Sequence, residues 1–176
     1  LAFRWALHYA YPDMAEAKPL IVQSDLSLLL DVHAELFEEA RSAIGAFAAL
    51  EKSPEHLHTY RISPLSLWNA SSAGLSSADV EAALERYGRY ELPRDVRFIV
   101  RDTMSRFGRL TLRAREGDGG SLLLVCSDPE AERELGASKK LEKWLAPAPG
   151  GFAVRLVDRG TVKLELLRLG WPVKDE

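Results

Sequence analysis

The chain has 176 residues, 47% of them hydrophobic and 28% charged, with a formal net charge of −3. That balance excludes a disordered polypeptide and allows one ordinary domain, or two small ones sharing an interface. No apolar run approaches the ~20 residues of a membrane span, and an N-terminus interrupted by Arg4, His8 and Asp13 is not a signal peptide. A single cysteine, Cys126, leaves no internal disulfide and points to a reducing cytoplasm. The start at Leu1 rather than Met, and the stop at Asp175-Glu176, are compatible with a piece of a longer protein.

Residues 1–18 read as a lead punctuated by Pro12 and Pro19. Leu20 to Gln23 and Ser27 to Val32 are expected to form a hairpin around the Ser24-Asp25 turn. The spacing of Leu36, Phe37, Ala40, Ile44, Phe47 and Ala48 predicts a helix over 35–50, with Glu35, Glu38 and Glu39 in its favourable first turn. His56 to Ile62 alternates as extended chain. A helix is expected from Pro64, capped by Ser63 and stopped at Gly74; another follows the capping box Ser76-Ser77-Ala78-Asp79 and stops at Gly88. Pro93 opens a third helix that runs to Phe107.

Arg109 to Arg115 and Ser121 to Cys126 read as strands joined by the turn Glu116–Gly120. Pro129 to Gly136 and Lys139 to Leu145 look helical, Pro147–Gly151 is a loop, Phe152 to Val157 a strand, and Thr161 to Leu169 a helix. The order helix, helix, helix, strand, turn, strand is that of a winged helix. The expected class is α+β: small mixed sheets, a winged-helix-like unit and a C-terminal α/β segment. Its divisions are a lead (1–18), a hairpin, helix and strand segment (19–63), the winged-helix-like unit (64–126) and the α/β segment (127–176), in one compact domain.

Charge is unevenly distributed. Nine arginines and only three acids lie between Arg86 and Arg115, a net +6, while residues 1–85 carry −7 and residues 116–176 carry −2. On the third helix Val96, Ile99, Val100, Thr103 and Phe107 fall within about 100° of arc and define the buried side. Arg94, Arg97 and Arg101 fall within about 60°, roughly 135° from that core. The expectation is a cationic stripe facing solvent, joined by Arg109 and Arg113, and by Arg115, on the wing strands. Guanidinium forks suit phosphate oxygens, so these arginines are candidate DNA contacts. Two other readings stand beside it: arginines that are merely solvated, and a protein-docking face centred on Phe98, which lies beside the stripe.

Catalytic motifs are missing. There is no Gly-x-x-x-x-Gly-Lys-Ser/Thr loop and no Gly-Lys pair, so no nucleotide cradle is expected in this chain. His56 and His58 are the one close histidine pair, without a recognisable further ligand, and no metal is expected. Cys126 in a leucine-rich strand reads as a small buried hydrophobe, and Trp68, Trp144 and Trp171 as core.

Several blocks have a familiar form: Pro19–Asp25, Leu28–Val32, Glu51–Ala70 with its His-x-His-x-Tyr, Thr103–Leu112, and Leu169–Val173. Over about residues 19–173 the chain resembles the N-terminal region of bacterial XPB-type DNA repair helicases. The resemblance implies a parent that is an ATP-dependent 3′–5′ helicase or duplex translocase of superfamily 2, acting in nucleotide excision repair. It places the ATPase motifs, and with them ATP and Mg²⁺, beyond Gly170-Trp171-Pro172-Val173, leaving no cofactor and no catalytic residue here. The region would be an accessory module that engages DNA, or that docks on the helicase motor or on a repair partner protein.

Overall fold

In the computed structural model, which describes residues 18–115 and 120–176, the Ser24-Asp25 turn joins strand β1 (Leu20–Val22) to β2 (Ser27–Asp31) as expected. The Asp25 carboxylate accepts from Ser27 N–H at 3.0 Å and from Ser27 Oγ at 3.1 Å, and these bonds hold it below the usual carboxylate range. Leu26 takes a left-handed φ of 69°, and its carbonyl accepts Ile62 N–H at 3.0 Å. The chain then enters helix α1 (Phe37–Ile44), strand β3 (Ala49–Lys52) and strand β4 (Leu57–Arg61). These strands form an antiparallel sheet in the order β1-β2-β4-β3.

Here the structure departs from the expected helix over 35–50. The helix stops at Ile44, Phe47 turns into the core at 1% exposure, and residues 49–52 pair with β4. All four residues of β3 are exposed, so no alternation of apolar side chains marked it as a strand.

Helices α2 (Pro64–Ser72), α3 (Ser77–Tyr87) and α4 (Arg94–Ser105) lie where the punctuation placed them. Both capping boxes form. Ser66 N–H donates to Ser63 Oγ at 3.1 Å and Ser63 N–H to Ser66 Oγ at 2.9 Å; Asp79 N–H donates to Ser76 Oγ at 3.2 Å and Ser76 N–H to Asp79 Oδ2 at 2.8 Å. Beyond α3, Gly88 lies against the sheet edge, where Arg89 N–H donates to the Leu20 carbonyl at 2.7 Å. A Cβ at Gly88 would meet the Leu84 carbonyl at 2.4 Å, so only glycine fits this sharp exit. Leu20, Leu28, Leu30, Ile44, Leu84 and Val100 are among the side chains that fill this first core. Val96, Val100 and Thr103 are buried as the helical spacing required, together with Met104, while Ile99 and Phe107, the latter beyond the helix end, are half-buried.

The second unit begins at Arg106. Strands β5 (Leu110–Ala114), β6 (Ser121–Cys126), β7 (Ala146–Ala148), β8 (Gly151–Arg155) and β9 (Val173–Asp175) form a sheet in the order β7-β8-β6-β5-β9. Only the β5–β9 pair is parallel. Helices α5 (Pro129–Ala137) and α6 (Arg159–Arg168) bury Ala131, Leu135, Val162 and Leu166 in a core with Leu110, Leu112, Leu124, Phe152 and Trp171.

The α+β class therefore holds, but the winged-helix grouping of 64–126 is not confirmed. Its three helices share a core with the first sheet, and its two strands are interior members of the second sheet. Other local expectations need correction. Residues 139–145 make hydrogen-bonded turns rather than a helix, part of the expected 147–151 loop is β7, and the chain after Pro172 adds β9. The expected lead, except Lys18, and most of the Glu116–Gly120 turn lie outside the described residues.

Candidate nucleic-acid and docking surface

Helix α4 carries three of the expected DNA contacts. Its stripe is not a free cationic ridge. Arg101 grips Glu81 of α3 with both arms of its fork, Nε to Oε1 at 2.6 Å and Nη2 to Oε2 at 2.7 Å. Arg97 reaches Glu81 Oε2 with Nη1 at 3.0 Å and Glu85 Oε1 with Nη2 at 2.7 Å. The Glu81 side chain is only 7% exposed, and the hydrogen bond from Arg101 holds its carboxyl below the usual range against the opposing effect of burial. A carboxylate this buried persists only because it is paired.

Arg94 is the exception on this helix: it is exposed and has no ion pair among the described residues. Phe98 is 70% exposed, beside 68% for Tyr90. By helical spacing it is flanked by Arg94 and Arg101 and by Asp95 and Asp102. The surface presented by α4 is an apolar ring in a setting of balanced charge.

The other two expected contacts belong to the second unit. Arg109 Nη1 pairs with Asp128, which also caps α5 by accepting Glu130 N–H at 2.9 Å. That backbone bond, and then Arg109, keep Asp128 below its ordinary range. Arg113 is exposed on β5 without an ion pair among the described residues, as is Arg115. Arg113, Arg115, Leu123 and Pro149 border an open cavity of about 390 Å³. The structure thus splits the five arginines between two units, with Arg97, Arg101 and Arg109 bound to carboxylates.

Glu81, which organises this surface, was not singled out from the sequence. A signal for it existed: Glu81 and Glu85 form an i, i+4 acidic row on α3, and Arg97 and Arg101 form an i, i+4 basic row on the helix that follows it. Cys126 is half-buried, donates to the Asp128 carbonyl at 3.2 Å, and has its thiol pushed up by burial, which suits a small hydrophobe rather than a nucleophile. Trp68 and Trp171 are buried, and Trp144 is half-buried. Trp68 Nε1 donates to the Thr103 carbonyl at 2.9 Å. His58 and His56 contact different partners: His58 packs edge-on to Phe37, while His56 meets His33.

A profile of the family described as "helicase conserved C-terminal domain" matches residues 20–148. The chain is 45% identical over 159 residues to the DNA 3′-5′ helicase XPB of Mycobacterium tuberculosis, covering 89% of this chain and 29% of that protein. It is 43% identical over 159 residues to the protein of the same name from Kineococcus radiotolerans, covering 89% of this chain and 28% of that protein. A more distant relative, the general transcription and DNA repair factor IIH helicase/translocase subunit XPB of Enterocytozoon bieneusi, is 30% identical over 98 residues, or 56% of this chain and 16% of that protein. The chain thus spans under a third of the length of these relatives. It belongs to the helicase conserved C-terminal domain family, and its relatives in that family are XPB-type DNA helicases.

Proposed function

We propose that this chain is an accessory region, N-terminal in its parent, of an XPB-type ATP-dependent DNA repair helicase or translocase, and that α4 is its docking face for the motor domains or a repair partner protein. The observation that carries the docking reading is the pairing of Arg97 and Arg101 with Glu81 and Glu85 beside a ring, Phe98, that is 70% exposed. Guanidinium groups held by carboxylates, one of them the buried Glu81, have little left to offer a phosphate, whereas a solvent-facing aromatic ring rimmed by balanced charge is the anchor type found at the centre of protein interfaces. ATP and Mg²⁺ belong, in this reading, to the motor. The parent acts in the cytoplasm.

The test is a titration of this chain against the separately produced motor portion of its parent. Phe98→Ala should weaken binding at least tenfold, and Arg94→Glu much less. Unchanged affinity on Phe98→Ala would end the docking assignment.

A second reading keeps direct DNA engagement, and Arg113 favours it. Arg113 and its neighbour Arg115 are exposed, unpaired among the described residues, and border an open cavity. Relatives of the chain carry the name DNA helicase. Replacing Arg113 and Arg115 with Glu should abolish any shift of a forked duplex at low salt; a retained shift removes this reading.

A further inference from the structure

His33 and His56 are 23 residues apart in sequence, yet His33 Nε2 lies 2.8 Å from His56 Nδ1. The sheet brings them there. In the β2–β4 register Asp31 faces Leu57, and Val32 N–H donates to the His56 carbonyl at 3.1 Å just beyond the last pair. His33 is fixed in turn by its own N–H, which donates to Asp31 Oδ1 at 3.0 Å. Both backbones are anchored before either imidazole is considered. Both rings are exposed, so a hydrogen bond between them competes with water and stabilises the fold little. What the framework secures is a fixed meeting point for two imidazole nitrogens.

We propose that His33 Nε2 and His56 Nδ1 form a binding site for a borderline divalent metal ion of the Zn²⁺ or Ni²⁺ type, with solvent filling the remaining positions. Imidazole is the side-chain ligand suited to these ions. With a Zn–N bond of about 2.0–2.1 Å and a tetrahedral angle, two imidazole nitrogens stand about 3.3 Å apart and their ring centres about 5.2 Å apart. The ring centres here are 5.1 Å apart with planes at 41°. Chelation therefore asks each ring to pivot until its lone pair converges on the ion, parting the nitrogens by about half an ångström and leaving the ring centres and the backbone in place.

Protons balance in a simple way. In the neutral pair one ring holds its hydrogen on the nitrogen that faces the other. On binding, that hydrogen moves through solvent to the second nitrogen of the same ring, and both facing nitrogens become ligands. No net proton is released. Among the described residues no third histidine, cysteine or carboxylate completes the group, so the site is open and its affinity is modest. Its cation preference is set by nitrogen, which selects against Mg²⁺ and Ca²⁺.

The test is a titration of the whole chain with Zn²⁺ in competition with a chromogenic zinc indicator. One ion should bind per chain, and His33→Gln or His56→Gln should each lower the affinity at least tenfold, while His8→Gln leaves it unchanged. Absence of binding at submillimolar Zn²⁺, or equal affinity in the His33 and His56 variants, overturns the proposal. A measurement on the unsubstituted chain guards against misfolded variants. Substoichiometric Ni²⁺ should broaden the imidazole resonances of His33 and His56 before those of His8 and His58, and broadening centred on His8 or His58 overturns it equally.

Discussion

Glu81 is the residue on which the α3–α4 surface turns. Its carboxylate is nearly out of solvent and accepts from two arginines. Glu81→Ala should lower stability by about 1.5–3 kcal/mol, read from a denaturant melt. It should also free Arg97 and Arg101. If the pairing is what keeps this helix from phosphate, Glu81→Ala should bind DNA more tightly than the unsubstituted chain at low salt. The same residue sets a pH dependence. Its carboxyl is depressed in the folded state, so its contribution is fully present above the unfolded carboxylate range and is lost as pH falls through the lower folded value. A pH series of melts on the unsubstituted chain and on Glu81→Gln should converge in acid and diverge near neutrality; parallel curves would show that the pairing adds nothing. A second residue is fixed by backbone alone. Gly151 has φ 147°, and a Cβ there would sit 2.1 Å from the Leu124 carbonyl. Gly151→Ala should cost at least about 1–3 kcal/mol from backbone strain, with the thermal midpoint as readout.

Among the elements, α2, α3 and α4 were legible because their boundaries are chemical. Ser63, Ser76, Pro93 and Gly88 mark them, and the caps form as read. Strands β3, β7 and β9 were illegible for a common reason: each is at an edge of its sheet and exposes most of its residues, so burial imposes no alternation on it. Residues 139–145 carry helical spacing but follow Ser138 into isolated turns, with Leu141 and Leu145 still buried. Spacing reported which side chains go inward, not which backbone takes them there. Beside the apolar packing that joins α2 to α4, Trp68 donates a hydrogen bond to the Thr103 carbonyl. Trp68→Phe, which keeps the bulk and removes the donor, should lower stability by about 1 kcal/mol. No change in the denaturation midpoint would mean that water replaces the indole.

At the scale of the whole chain, two cores divide what the order of elements had joined. A run of helix, helix, helix, strand, strand has the connectivity of a winged helix, yet the two strands, paired with each other, also take partners in β8 and β9, which lie more than twenty residues further on. Long-range pairing of this kind leaves no trace in local pattern. The division also bears on DNA. Of the six arginines read as one basic face, Arg94, Arg113 and Arg115 are exposed without ion pairs among the described residues, while Arg97, Arg101 and Arg109 have carboxylate partners. Binding of this chain to duplex DNA should therefore show a salt slope of no more than about three logarithmic units, against about five for six engaged groups. A steeper slope would mean that the paired arginines release their carboxylates when DNA arrives.

Composition, periodicity and punctuation by themselves determined that the chain is an α+β protein, where its three central helices lie to within a few residues, and most of the side chains they bury, although Leu65 is exposed and Ile99 and Phe107 are half-buried. They did so because those features depend on neighbours within a few residues. The family likeness was likewise written in short blocks of sequence. Only the tertiary structure decided the charge state of the surface and the meeting of His33 with His56. The reason is physical: an arginine's reach to a carboxylate, like an imidazole's to its counterpart, is settled by which helix or strand packs alongside, and that neighbour stands 12 to 23 residues away in the chain.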